Sequence, residues 1–278
     1  MTTIQSLLKQ ASKQLATVSD SPQLDAELLL GHCLNKEQSY LYAWAEKQLK
    51  ESTLEAFQRL IKKRLTDYPV AYLLGHKEFW SLDLIVTEDV LIPRPETELL
   101  VETALEKIQS IIAPKILDLG TGTGAIALSI ASERADALVM AGDYSEKALT
   151  IAKQNAHKNS INSVNFIQSD WFADIVAEQF DLIVSNPPYI KSKDPHLQQG
   201  IRYEPLQALV AGETGLDDIN TILESALDYM RDGAWILIEH GYDQGDIVPT
   251  LMKNIGLQQT VCIKDYSKNN RLSMGRKI

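Results

Sequence analysis

Lys115-Ile116-Leu117-Asp118-Leu119 runs into Gly120-Thr121-Gly122-Thr123-Gly124 and on into Ala125-Ile126-Ala127-Leu128-Ser129-Ile130, a stretch that leaves few architectures open. A short apolar strand, a glycine-rich turn and an apolar helix make the first unit of an open, doubly wound α/β sheet. Glycines let the backbone turn sharply and approach a ligand closely. The spacing is GxGxG after an acid, not the GxGxxG of dinucleotide folds, and the Gly-Lys-Ser/Thr of a phosphate-gripping loop is missing. Nothing in the loop is basic, so a pyrophosphate is a poor match. An uncharged loop after Asp118 suits a cationic or zwitterionic ligand, such as a sulfonium nucleoside joined to an amino acid.

The next strand, 137–142, ends at Asp143, about twenty residues past the glycines, where an acid can take both ribose hydroxyls. Asp143 could instead cap the helix expected over 145–159, but Ser145 can do that job. A third strand, 164–167, leads to Asp170, placed for an adenine amino group, and Trp171, whose face suits the base; core packing is the plainer use of Trp171. A fourth run, Phe180-Asp181-Leu182-Ile183-Val184, enters Ser185-Asn186-Pro187-Pro188-Tyr189-Ile190. Two prolines exclude helix and remove two N–H donors, so the loop is stiff. The Asn186 side-chain carbonyl and the main-chain carbonyl of Pro187 can together accept both hydrogens of one planar NH₂ group, and Tyr189 can stack on its plane. The plainer reading is a proline turn with Asn186 capping its own backbone. Helices over 216–230 and 246–254, a strand over 234–239 and an antiparallel edge hairpin from 258–264 and 271–276 complete the sheet.

Upstream, Ile4, Leu7, Leu8, Ala11 and Leu15 repeat at helical spacing, and Ser21-Pro22 opens a second helix that Gly31 or Asn35 ends. A short helix around Tyr40 to Trp44, a longer one from Ser52 and a last turn before Gly75 make residues 1–75 a helical bundle, with Trp44, Phe57 and Tyr72 expected in its core. Residues 76–94 read as a hairpin linker in which 79–86 pairs with 90–92, and 95–278 as the catalytic domain. With 278 residues, 45% hydrophobic and 23% charged, two soluble domains are the natural expectation. A net charge of −10 and a pI near 5.0 do not suit bulk attraction to phosphate, so no direct nucleic-acid binding is expected. Cys33 and Cys262 are far apart and fit a reduced compartment. No apolar run reaches membrane-spanning length and no signal-peptide pattern stands at Met1 to Gln5, so the expected location is cytoplasmic. The five histidines lack metal-ligand spacing, and no metal is expected.

Asp118 and the glycine loop, Asp143, Asp170-Trp171 and Asn186-Pro187-Pro188-Tyr189 stand in an order that resembles the class I S-adenosylmethionine-dependent methyltransferases. Asn-Pro-Pro-Tyr marks the subset that methylates planar nitrogens, on bases or on glutamine side chains. His196 to Pro205, Ala211 to Asp217, Leu237 to Gly241 and the upstream Pro93-Arg94-Pro95-Glu96-Thr97-Glu98, with the N-terminal bundle, resemble the peptide chain release factor glutamine methyltransferases (the HemK/PrmC family) over essentially the whole chain.

The resemblance implies a Rossmann-like, mostly parallel seven-stranded sheet. It implies transfer of a methyl from S-adenosylmethionine to the amide nitrogen (N5) of the glutamine in the Gly-Gly-Gln loop of class I release factors, which modulates translation termination. Cofactor contacts are then expected at Gly120, Thr121, Gly122, Thr123, Gly124, Asp143, Asp170, Trp171 and Asn186. Asn186, Pro187 and Tyr189 would carry catalysis, with Pro188 joining them in holding the substrate glutamine. The long loop 191–214 is a candidate for gripping the protein substrate, with Arg202 and Glu204 helping and Arg94 lining a cleft. Competing readings are a nucleic-acid amino methyltransferase, which the acidity disfavours, a cofactor-fold binding module without catalysis, and a nicotinamide dehydrogenase, which the glycine spacing disfavours.

Overall fold

Alternation of strand and helix from residue 115 onward builds one sheet with helices on both faces, preceded by a separate helical unit. The computed structural model describes residues 2–176 and 178–278. The chain divides into two compact units, one made of Met1–His76 with Pro195–Tyr203, the other of Lys77–Asp194 with Glu204–Ile278.

The first unit holds α1 (Ile4–Leu15), α2 (Pro22–Leu34), α3 (Gln38–Ala43), α4 (Glu51–Arg64) and α5 (Val70–Leu74). Thr3 and Ser6 form a reciprocal capping box at the start of α1, and Ile4, Leu7, Leu8, Ala11 and Leu15 are its buried stripe. Ser21 stands before Pro22, yet its side chain caps nothing; Asn35, left-handed at φ 51°, ends α2 while Gly31 stays helical. The fourth helix begins at Glu51, one residue before the expected Ser52. Phe57 is buried, Tyr72 is half-buried and Trp44 is 56% exposed. The expectation that Trp44 is core fails because α3 is one short helix whose buried side chain is Leu41. Trp44 lies past its end, beside Tyr40 and under the Lys47 ammonium.

The middle of the long loop belongs to this unit. Gly200 donates its amide to Asp67 at 2.8 Å, and the Tyr203 hydroxyl donates to the Thr66 carbonyl at 2.9 Å. The Tyr203 ring meets Tyr68 edge-on at 4.9 Å, and Arg202 stacks on Tyr203 while bonding the Thr66 carbonyl.

The second unit opens at Lys77, within a hairpin of β1 (His76–Phe79) and β2 (Leu82–Ile85). The expected pairing of 79–86 with 90–92 does not form. Trp80 and Ser81 both take positive φ, 50° and 63°, so the turn falls inside the run read as one strand. A 3₁₀ turn, Pro95–Thr97, leads into α6 (Glu98–Lys107). There follow β3 (Lys115–Leu119), α7 (Ala125–Glu133), β4 (Leu138–Asp143), α8 (Glu146–Lys158), β5 (Val164–Gln168), β6 (Phe180–Ser185), α9 (Asp217–Tyr229), β7 (Met230–Glu239), α10 (Ile247–Asn254), β8 (Gln258–Lys264) and β9 (Asn270–Arg276).

The seven-stranded sheet runs β5-β4-β3-β6-β7-β9-β8, parallel except for β9, which is antiparallel to both its neighbours. Alternation along β3 sends Ile116 to the face packed by α6 and α7, and Leu117 and Leu119 to the face packed by α9 and α10. The order reverses between β3 and β6, and a ligand crevice belongs at the carboxyl ends beside that switch point. Among the described residues no helix is long and apolar enough to cross a membrane.

Candidate active site

Parallel register places the predicted motifs side by side. Leu119 lies opposite Gly142 on one side and Ser185 on the other, and Asp143 lies opposite Gln168. The glycine loop, Asp143, Asp170-Trp171 and Asn186-Tyr189 therefore leave the same end of four adjacent strands. Between them lies a cavity of about 310 Å³, lined by Gly120, Gly122, Asp143, Ser145, Asp170, Trp171, Asn186 and Pro188, and also by Asp89 to Leu91, Pro205, Gln207, Ala208 and Asp218.

The loop is held from beneath. Gly120 and Thr121 both donate their amides to the Gly142 carbonyl at 2.9 Å, and Gly120, Gly122 and Gly124 all have positive φ. A Cβ on Gly120 would meet the Trp171 ring at 3.5 Å, so this glycine lets an aromatic plane lie against the turn. Asp118 is fully buried behind the loop and accepts the Thr121 hydroxyl at 2.7 Å. Burial pushes its carboxyl up to about 7, and the nearby Asp143 adds to the shift.

Asp143 accepts the Gly122 amide at one oxygen and the Ser145 amide at the other, each at 2.8 Å. Burial raises its pKa while these two bonds oppose the shift. Ser145 caps α8 by accepting the Ala148 amide, so Asp143 is released from that duty. Trp171 adopts φ 49°, uncommon for a bulky residue, and its side chain lies beside the Asp218 carboxylate, where it opposes the rise in pKa that burial causes. Trp171 also packs on the core under α9, so the one ring both lines the cavity and belongs to the core. Thr121, Thr123 and Gly124 do not line the cavity. The first two are buried, and Gly124 starts α7 with φ 82°.

The proline corner is fixed on several sides. Ser185 donates its hydroxyl to the Leu119 carbonyl at 2.8 Å, and Gln244 donates to the Tyr189 carbonyl at 3.2 Å and to that of Gly215 at 2.9 Å. Asn186 Nδ2 donates to Thr97 Oγ1 at 3.2 Å, and both side chains lie beside the buried Glu239 carboxyl and lower its pKa. Among the described residues, none donates to the Pro187 carbonyl. Pro187 and Tyr189 stand outside the cavity lining, Pro187 buried and Tyr189 half-buried. Burial, with the Glu239 charge, lifts the Tyr189 hydroxyl to about 12. Arg94 is not in the lining of this cavity; it pairs with Glu204, itself 5% exposed, whose second oxygen accepts the Ile92 amide at 3.1 Å.

The charged groups of the lining are all acidic: Asp89, Asp143, Asp170 and Asp218. This set, with an aromatic face and uncharged glycine amides, fits a cationic sulfonium nucleoside and excludes a tight grip on pyrophosphate. Asp218 and the 205–208 turn carry no motif readable in advance; they arrive because α9 and the long loop fold back over the sheet end. Among the described residues, no cluster of His, Cys, Asp and Glu is arranged to hold a metal.

A seven-stranded sheet of this order with a glycine loop, an acid at the next strand end and an Asn-Pro-Pro-Tyr corner defines a class I methyltransferase. Solved structures agree at the level of fold. The catalytic domain of hMettl16 in complex with the MAT2A 3'UTR hairpin 6 has a TM-score of 0.58 at 13% identity, over 71% of this chain and 76% of that one. The T. thermophilus 16S rRNA N2 G1207 methyltransferase (RsmC), in complex with AdoMet and guanosine, has 0.53 at 18%, over 73% and 50%.

Residues 6–75 match the PrmC N-terminal domain family, and residues 95–211 match the methyltransferase small domain family. Proteins named release factor glutamine methyltransferase align along nearly their whole length. That of Vibrio cholerae is 47% identical, over 99% of this chain and 96% of its own; that of Escherichia coli K12 is 43% identical, over 97% of each. The chain belongs to the release factor glutamine methyltransferase family.

Proposed function

We propose that this enzyme transfers a methyl group from S-adenosylmethionine to the side-chain amide nitrogen of the glutamine in the Gly-Gly-Gln loop of class I release factors. The observation that supports this reading is the presence of Asn186 in the lining of a cavity whose charged groups are all carboxylates. The donor, when bound, supplies an electrophilic methyl on a positively charged sulfur.

The residues divide the remaining work. Asp143, held by the Gly122 and Ser145 amides, presents its remaining lone pairs to a ribose diol. Trp171 offers its face to the base and Asp170 its carboxylate to the adenine amino group. Asp118 stabilises the turn of the glycine loop through Thr121.

An amide nitrogen is a weak nucleophile because its lone pair is delocalised into the carbonyl. Asn186 Oδ1 and the Pro187 carbonyl accept the two N–H hydrogens of the substrate glutamine, fix the plane of its amide and stabilise positive charge growing on nitrogen. Pro188 and Tyr189 shape the slot for that plane. Alignment of the nitrogen for in-line attack supplies the rest of the acceleration. The N-methylated amide cation is a strong acid and gives its proton to water, so no side-chain base is needed.

The helical first unit is the part we assign to release factor recognition, and the protein acts in the cytoplasm, where its substrate works. Incubating a release factor with the enzyme and donor, followed by mass spectrometry of the Gly-Gly-Gln peptide, should show one added methyl on the glutamine. An unmodified glutamine, or a methyl on another residue, removes this reading.

A further inference from the structure

Glu239 ends β7 behind the proline corner and is 1% exposed, with its Oε2 unpartnered among the described residues. Neither the donor nor the substrate chemistry derived above uses it. Its surroundings have a direction. An ionised carboxylate only accepts hydrogen bonds. Asn186 Nδ2 donates to the Thr97 hydroxyl oxygen at 3.2 Å, which leaves the one Thr97 hydrogen to turn toward the carboxylate beside it. The Asn186 side chain also lies beside Glu239 and helps to lower its pKa. Both neighbours therefore call for the NH₂ end of Asn186, and the carbonyl end is left for the cavity.

We propose that Glu239, together with Thr97, is a positioning residue for methyl transfer, holding the Asn186 amide so that Oδ1 and not Nδ2 faces the substrate nitrogen. The inference rests on the role given to Asn186 above. An amide turned over would aim N–H donors at the substrate's own N–H₂, a repulsive contact in place of the stabilising one. The penalty falls on turnover and not on donor binding.

The charge of Glu239 is what sets the direction. Burial raises its pKa to about 7, Thr97, Arg271 on β9 and Asn186 lower it, and Glu96 raises it. Tyr189, after β6, feels the Glu239 charge. The adjacent His240 turns away to Ser273 Oγ at 2.7 Å and the Gly241 carbonyl. As pH falls through neutrality Glu239 gains a proton and becomes a donor, Thr97 is no longer forced to give its hydrogen, and the Asn186 orientation is released. Turnover at saturating donor falls with it.

The test uses the full chain, S-adenosylmethionine and a release factor. Glu239→Gln should lower kcat ~10- to 100-fold, leave donor affinity within about twofold, and abolish the neutral limb of the kcat profile. Thr97→Val, which keeps the shape and removes the hydroxyl, should reproduce the loss of kcat and takes over the test if Glu239→Gln does not fold. Unchanged kcat in both variants, or a fall in kcat matched by equal losses of donor affinity and melting temperature, overturns the proposal. Inactivity of the unaltered enzyme on the release factor sinks the functional reading instead. In that event a high-resolution structure of Glu239→Gln decides the orientation: Asn186 Nδ2 still on Thr97 Oγ1 refutes it, a turned amide supports it.

Discussion

Asp143 Oδ2 accepts the Gly122 amide at 2.8 Å, which ties the acid at the end of β4 to the middle glycine of the loop after β3. One carboxylate thus shapes the loop and faces the cavity. Replacing Asp143 by Ala removes the brace and the ribose acceptor together. Donor affinity should fall about 10- to 100-fold, roughly 1.4–2.8 kcal/mol, read by titration calorimetry. Asn at this position keeps one acceptor and should fall between. Wild-type affinity in the Ala variant would show that the ribose is held elsewhere.

Asn186 separates binding from chemistry. Asn186→Ala deletes one of two preorganised acceptors, an effect that commonly costs ~2.7–4 kcal/mol of barrier. Single-turnover methyl transfer should slow by about a hundred- to a thousandfold, with donor affinity within a few-fold of wild type. A variant with near-normal turnover leaves Asn186 as a turn residue and nothing more.

Much of this site was legible because the motif residues stand at or just past the ends of short strands: Gly120 after β3, Asp143 closing β4, Asp170 two residues past β5 and Pro187 two past β6. Periodicity fails where contacts distant in sequence decide. Asp218 reaches the cavity from α9 and stands beside Trp171, a neighbour no local pattern announces. Thr97 resembles a residue of a helix start and Glu239 the end of a strand, and their connection with Asn186 exists only in the folded sheet. The linker hairpin turns earlier than the sequence pattern places it, for a local reason: alternation continues through Trp80-Ser81, whose positive φ values carry no compositional mark. Glu204, expected at a protein-gripping surface, is buried as an anchor for Arg94 and the Ile92 amide.

Gly215 tests how far the proline corner depends on its backing. It sits at φ 76°, and a Cβ there would lie 2.3 Å from the Tyr189 carbonyl oxygen, too close for any rotamer to relieve. Left-handed backbone alone costs a non-glycine residue ~1–2 kcal/mol, and the clash adds to it. Gly215→Ala should lower the melting temperature by several degrees and slow turnover by displacing residues 186–189, with a smaller effect on donor affinity. Full activity with lowered stability would mean that the corner holds its geometry without this contact.

Asp118 gives the stability of the enzyme an unusual pH slope. Its carboxyl is raised to about 7 in the fold against 3.8 as the ordinary value. Between those limits the unfolded chain releases a proton that the native state keeps, so rising pH favours unfolding across that window, and the contribution is gone once pH exceeds the folded value. Glu239, also raised to about 7, acts in the same direction. Asp118→Asn retains an oxygen to accept the Thr121 hydroxyl and carries no charge to bury. Relative to wild type it should gain stability as pH rises from 5 to 8, on the order of 2–4 kcal/mol by the top of the range. Over the same range its affinity for the cationic donor should lag, since wild-type Asp118 becomes ionised there and the variant cannot. Thermal unfolding and donor titration at matched pH values check both halves. A stability difference that stays constant from pH 5 to 8 would mean that Asp118 is ionised throughout, with a pKa in the ordinary carboxylate range.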